Sequence, residues 1–258
     1  MEHKVVSHDE WLAARQELLA KEKAFQHQCD EMSRLQRDLP WERVEKAYVF
    51  DGPDGKETLA DLFAGRSQLI VYHFMLGPGW KEGCVGCSFG ADHIDGANLH
   101  LAQHDVTIVA VSRAPLEEIE PFKQRMGWHF QWVSSYNSDF NFDFHVSFRQ
   151  EDLAKGEVFY NYKTMTAGGE EASGLSVFYK DEERNIYHTY STFGRGDEKT
   201  VGAYMYLDIT PKGRNETERG NLTDWVRHHD KYNAEGFVDT TGRYVAEKKS
   251  DCCGKEVH

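Results

Sequence analysis

Gln68-Leu69-Ile70-Val71-Tyr72-His73-Phe74-Met75, a loop with Gly77-Pro78-Gly79, then Gly83-Cys84-Val85-Gly86-Cys87-Ser88: this stretch decides how the 258-residue chain is read. Its first part is a nearly continuous apolar run rich in β-formers, which suits a strand covered on both faces. The glycines and proline mark a loop, and residues 88–103 have helical apolar spacing. Val106–Ser112 repeats the buried-strand pattern. Residues 115–126 read as a helix with Pro115 in its first turn, where a missing N–H costs little. Gln131–Ser134 reads as a short strand. Strand, helix, strand, helix, strand within so short a span implies an α/β fold, with a parallel sheet joined by right-handed crossovers.

Further out, residues 175–179 and 186–190 flank Lys180-Asp181-Glu182-Glu183-Arg184-Asn185, which predicts a β-hairpin. Residues 201–207 are a candidate helix. Upstream, Ser7 followed by Glu10 is a capping-box signature. Trp11, Leu12, Leu18, Leu19, Phe25, Met32 and Leu35 then recur at helical spacing until Pro40 ends the pattern. Residues 41–50 look like a strand, Asp51-Gly52-Pro53-Asp54-Gly55 like a turn, and residues 58–63 like a short helix or turn. The expected organisation is an N-terminal amphipathic helix over 1–40, one domain over 41–232, and a polar, partly disordered tail over 233–258. The stretch from Asn221 onward is polar, and Trp225, Tyr232 and Phe237 are candidates for docking part of it. The helix is expected to pack as an arm and gives a route to a homodimer.

A formal net charge of −13 repels phosphate backbones and anionic membrane surfaces, so neither nucleic acid nor membrane is an expected partner. The first residues lack the apolar core of a signal peptide, and no apolar run is long enough to span a bilayer. A cytoplasmic setting is therefore expected. Five cysteines in a chain of this length do not make a disulfide scaffold, and in a reducing compartment a close pair is more often catalytic or metal-binding.

Cys84 and Cys87 follow a buried strand and open a helix. A helix start offers free backbone N–H groups and the positive end of the dipole, and both favour a thiolate, the reactive form. Cys84 would be the nucleophile. Cys87, one turn in, would resolve a mixed disulfide formed on Cys84. A C-x-x-C pair inside a β-α-β unit reads as thioredoxin-like, with a thiol or disulfide substrate, a thiol electron donor and no organic cofactor. The alternative is copper or zinc on the same two sulfurs, with His145 or His188 completing the site.

The residues also carry a family resemblance. Gly83-Cys84-Val85-Gly86-Cys87-Ser88-Phe89, Val109-Ala110-Val111-Ser112-Arg113-Ala114-Pro115 and Arg125-Met126-Gly127-Trp128 resemble a bacterial group of uncharacterised thioredoxin-like proteins described as predicted dithiol-disulfide oxidoreductases. So do Gly174-Leu175-Ser176-Val177-Phe178-Tyr179, His188-Thr189-Tyr190-Ser191-Thr192 and Tyr206-Leu207-Asp208-Ile209-Thr210-Pro211. The resemblance runs from about residue 3 to 232. It implies a thioredoxin-like three-layer sandwich of the peroxiredoxin and thiol-reductase type, and a redox role for the pair. Ala172-Ser173-Gly174-Leu175 holds no proline where thioredoxin folds place a cis-proline. Pro78 does not match the peroxiredoxin signature before Cys84, so a peroxidase role is the weaker alternative.

Several other side chains are candidates. His73, on the strand leading to Cys84, is a candidate proton acceptor. Trp80, Phe74 and Phe89 are candidate walls of the site, and Arg113 a candidate anion or thiolate partner. His93, His100 and His104 lie on the helix after Cys87. Residues 139–144 alternate at period two, which suggests an edge strand or ordered loop near the site. Cys29 reads as a small hydrophobe, and Cys252-Cys253 as an idle tail or a resolving pair.

Overall fold

The computed structural model describes residues 3–216, 225–233, 236–238 and 243–246, so Cys252 and Cys253 lie outside the described residues. The chain divides into two compact units, Met1–Glu42 and Arg43–His258. The first unit is helix α1 (His8–Arg37). The Ser7 hydroxyl accepts from the Glu10 N–H, and the Glu10 carboxylate accepts from the Ser7 N–H at 3.0 Å, so the capping box forms as the sequence predicts.

The second unit is built on one sheet. Its strands are β1 (Val49–Gly52), β2 (Gly55–Thr58), β3 (Gln68–His73), β4 (Val106–Ser112) and β5 (Gln131–Ser134), followed by β8 (Gly174–Lys180) and β9 (Ile186–Phe193). Helix α6 (Gln150–Lys155) and a separate hairpin, β6 (Glu157–Tyr160) and β7 (Lys163–Thr166), lie between β5 and β8 in the chain. These seven belong to an eight-stranded sheet and run in space in the order β9-β8-β3-β4-β5-β1-β2. β3, β4 and β5 are parallel, whereas β8 runs antiparallel to β3 and β9 antiparallel to β8. A β-α-β unit beside a β-hairpin that leads into helix α7 (Gly202–Leu207) is the thioredoxin-like arrangement.

Alternation along β3 sends residues to two faces. Tyr72 faces a core with Phe122, Trp128, Trp132, Cys84 and Cys87, while Leu69 and Val71 face a second core with Phe50, Phe63, Phe140 and Phe178. Helices α2 (Val85–Ala91), α3 (Ile94–Leu101) and α4 (Leu116–Arg125) supply residues to the first face. The 3₁₀ turn Asp61–Phe63 and helix α5 (Phe140–Asp143) supply residues to the second.

Three local expectations need correction. The helix expected over 88–103 is two helices, because the chain breaks at Asp92 and His93, where the His93 ring bonds back to the Phe89 carbonyl at 2.8 Å. Residues 139–144 form a helical turn and not a strand: Phe140 and Phe144, four apart, pack with ring centroids 4.6 Å apart on the face away from the cysteines. The strand expected over 41–50 is interrupted, with a two-residue strand at Glu42–Arg43 and a second at Val49–Gly52, and the turn after it is the tight link of the β1–β2 hairpin. In the last segment, Gly236–Val238 pairs antiparallel with Tyr244–Ala246.

Candidate functional site

Cys84 sits at the cap position of α2. Its N–H donates to the Met75 carbonyl at 3.0 Å, which ties the cysteine to the chain just beyond β3. Its carbonyl accepts from the N–H and the hydroxyl of Ser88, both at 2.9 Å. The residue before it must be glycine. A Cβ on Gly83 would lie 2.3 Å from a Phe74 ring carbon and 2.8 Å from Phe122. Gly83→Ala is expected to cost about 1–3 kcal/mol by overpacking, read as a lowered urea midpoint at unchanged slope.

The two cysteine side chains hydrogen-bond to each other, and the effect on Cys87 is one-sided. The bond to Cys84, burial and the Cys84 charge together push the Cys87 thiol well above the usual range, against a smaller pull from a Met75 backbone bond. Cys87 therefore holds its proton more tightly than an ordinary thiol. The Cys84 side chain makes no capping bond to α2.

Both sulfur residues are nearly covered, Cys84 at 6% exposure and Cys87 at 4%, yet both line a cavity of about 630 Å³. Its walls come from β3, β4, β8, α2, α3 and the segment 194–204. Tyr72 lies in the wall, and its hydroxyl donates to the Cys87 carbonyl at 3.0 Å. Asp197 is in the opposite segment. Burial raises its carboxyl from 3.8 to about 6, and its charge is among the causes that raise Cys87. The Tyr160 hydroxyl donates to the Ser173 carbonyl and accepts from the Gly194 N–H, each at 2.8 Å, joining two stretches of wall. His93 bonds Phe89 through Nδ1 and accepts the Ala203 N–H at Nε2, 3.1 Å away, fastening α7 over the α2–α3 break.

Of the expected supporting residues, Phe89 lines the cavity and packs edge-on to Tyr204. His73 does not reach the cysteines. It points to the other face of the sheet, where Nε2 meets the Ser176 hydroxyl at 2.7 Å and the ring packs on Phe140 and Phe144. Burial drives its pKa from 6.5 to about 3, so it is no proton acceptor near neutrality. Trp80 packs against the same core as the cysteines but lies outside the cavity wall, beneath the Arg243 guanidinium at 3.9 Å. Arg113 is engaged by Glu171 at 2.7 Å and by the Phe142 ring, away from the thiols.

Neither histidine named for the metal alternative is placed with the two cysteines. His145 packs on Phe159, and His188 joins the Ser191 hydroxyl at 2.6 Å on the His73 side. Among the described residues no group of three His, Cys, Asp or Glu side chains is placed to hold a metal. Nor is any described helix long and apolar enough to cross a membrane.

Sequence reasoning missed Asp197, Tyr160 and His228. Trp225 and Tyr232 were expected to dock the tail, and the segment between them does so through His228, fully buried, whose Nε2 meets the Gly83 carbonyl at 2.9 Å next to Cys84. Lys231 and Asp230 add ion pairs to Glu82 and Arg125. No local motif marks these residues, because each acts across a long stretch of chain.

Among solved structures, the chain is similar to peroxidoxin BcpB of Mycobacterium tuberculosis. Identity is 13% over 66% of this chain and 97% of that one, with a TM-score of 0.39. For Xanthomonas campestris peroxiredoxin Q the identity is 15% over 64% and 96%, with a TM-score of 0.42. For the yeast mitochondrial 1-Cys peroxiredoxin it is 17% over 66% and 78%, with a TM-score of 0.38. No curated protein matches the chain. A family defined by sequence does match, over residues 1–232, and the chain belongs to it: the bacterial proteins of unknown function DUF899.

Proposed function

We propose that this protein is a thiol–disulfide oxidoreductase whose working pair is Cys84 and Cys87. The observation that carries the reading is a pair of free cysteines, one at the cap of α2 and the other in its first turn, both lining one cavity. The Cys84 thiolate attacks one sulfur of a substrate disulfide, forming a mixed disulfide and releasing the other half as a thiolate. Cys87 then loses its proton and attacks the Cys84 sulfur. The Cys84–Cys87 disulfide forms, the second thiolate leaves, and two electrons have passed to the substrate. A thiol donor restores the pair. This chemistry fits a cytoplasmic setting, where such donors keep dithiols reduced.

Asp197 has a role in the second step. A half-buried carboxyl whose pKa is raised to about 6 is matched to take up the Cys87 proton close to neutral pH.

The test is a redox titration. The protein is equilibrated across a series of reduced and oxidised dithiothreitol mixtures, quenched with a mass-tagging alkylator, and read peptide by peptide. Cys84 and Cys87 are expected to lose their tags together in one two-electron transition, with Cys29 unchanged. Both tags persisting in the most oxidising mixture would overturn the reading.

A further inference from the structure

The cavity at Cys84 and Cys87 has a composition and a shape that select a substrate. Ile70 on β3 and Ile108 on β4 belong to the middle of the sheet, where strands are normally covered on both faces. Here they are only half-buried, and both line the cavity together with Leu175, Leu101 and Met75. The apolar floor follows β3: from Ile70 to Met75, beside Cys84, is roughly 17 Å at the rise of an extended chain. The space is thus a long apolar trough with two thiols at one end, and its 630 Å³ falls in the range of small-molecule sites.

Its charged wall argues in the same direction. Asp197 and Glu198 both line it. Arg195 and Arg214 engage Glu198, and Arg195 also reaches Glu216 at 3.5 Å, so the nearby guanidiniums are already committed to carboxylates. An anionic disulfide meets carboxylates and no uncommitted guanidinium there. A polypeptide disulfide would have to bring a folded loop to sulfurs that are almost fully covered.

We infer that the disulfide reduced at this site belongs to a small, uncharged molecule with an elongated apolar tail, laid along β3 beneath α3. The inference rests on the dithiol reading above. Chemically, the Cys84 thiolate forms the mixed disulfide with the tail-bearing sulfur and releases the other half. Cys87 attack then frees the tail-bearing thiol, and dithiothreitol can serve as the dithiol that returns both electrons.

The experiment uses the full chain and a series of ethyl, hexyl and decyl 2-pyridyl disulfides, which share one reacting bond and differ in tail. Release of pyridine-2-thione is followed in dithiothreitol, with the rate lacking protein subtracted. A buried methylene is worth about 0.8 kcal/mol, or roughly fourfold, so kcat/KM is expected to rise at least about 20-fold from ethyl to hexyl. A hexyl probe ending in a carboxylate is expected to be slower than the neutral one.

Ala97→Trp, at an exposed position of α3 on the cavity rim, is expected to abolish the dependence on tail length. The ethyl reaction should remain, which also reports that the variant is folded. Equal rates for all tails, or a dependence unmoved by Ala97→Trp, overturn the inference while the dithiol reading stands. Loss of every Cys84-dependent reaction overturns the dithiol reading itself.

Discussion

Cys87→Ser is expected to cut steady-state turnover by at least about 10³-fold while leaving the first attack on a disulfide nearly intact. Serine keeps a hydroxyl that can donate to the Cys84 sulfur, so the support for a Cys84 thiolate survives. What disappears is an attacking sulfur held beside the mixed disulfide, and such placement has effective molarities of roughly 10⁵ M or more. An external thiol at millimolar concentration cannot replace it. The variant should therefore accumulate one substrate-derived adduct per chain on Cys84, visible as a single mass increase, whereas Cys84→Ser should form none. Adduct formation by Cys84→Ser, or full turnover by Cys87→Ser, would reverse the assigned roles.

The proton inventory gives this prediction a second readout. Before attack, Cys87 is held protonated by its bond to Cys84, by burial and by the charge on Cys84. When Cys84 enters a mixed disulfide, that charge vanishes and the first and third causes lapse. The Cys87 proton is then released for Asp197, whose carboxyl titrates near 6. In the intact protein the resolving step should quicken as pH rises through that value, and Asp197→Asn should flatten the rise.

The parts of this site that were legible in the sequence are local ones. The run Gln68–His73, Val106–Ser112 and the cysteine spacing each announce themselves within a few residues, because burial on both faces and helix spacing leave periodic marks. The cavity does not. Its far wall, 194–204, lies more than a hundred residues from Cys87 in the chain, and nothing local in Gly194-Arg195-Gly196-Asp197 distinguishes a buried carboxylate from a surface one. His73 misled for a related reason. Adjacency along β3 suggested proximity to Cys84, but period-two alternation places it with Val71 and Leu69 on the opposite face. Phe140 and Phe144 fit a period of two or a spacing of four equally well, and packing against His73 and Phe178 chose the helical turn.

That same burial makes His73 the main expected acid liability among the groups of the sheet. Its ring is 1% exposed, Nε2 is used by Ser176, and Nδ1 has no hydrogen-bond partner. Protonation would put a second N–H and a charge into an apolar wall of Phe140 and Phe144, with His188 adding repulsion. The folded pKa of about 3 lies below the ordinary 6.5, so between those values the unfolded chain binds a proton that the native ring refuses. Stability contributed this way is complete above 6.5 and is lost as pH falls. The loss is roughly 3 kcal/mol at pH 4 and about 5 kcal/mol below pH 3, comparable with the whole stability of many domains. His73→Gln keeps a side-chain nitrogen able to meet the Ser176 hydroxyl but cannot titrate. Between pH 7 and pH 4 its urea-derived stability should fall by about 3 kcal/mol less than that of the natural chain, even if it starts lower. Equal losses in the two proteins would mean that His73 takes up its proton without penalty, and that the buried imidazole is not what limits this sheet in acid.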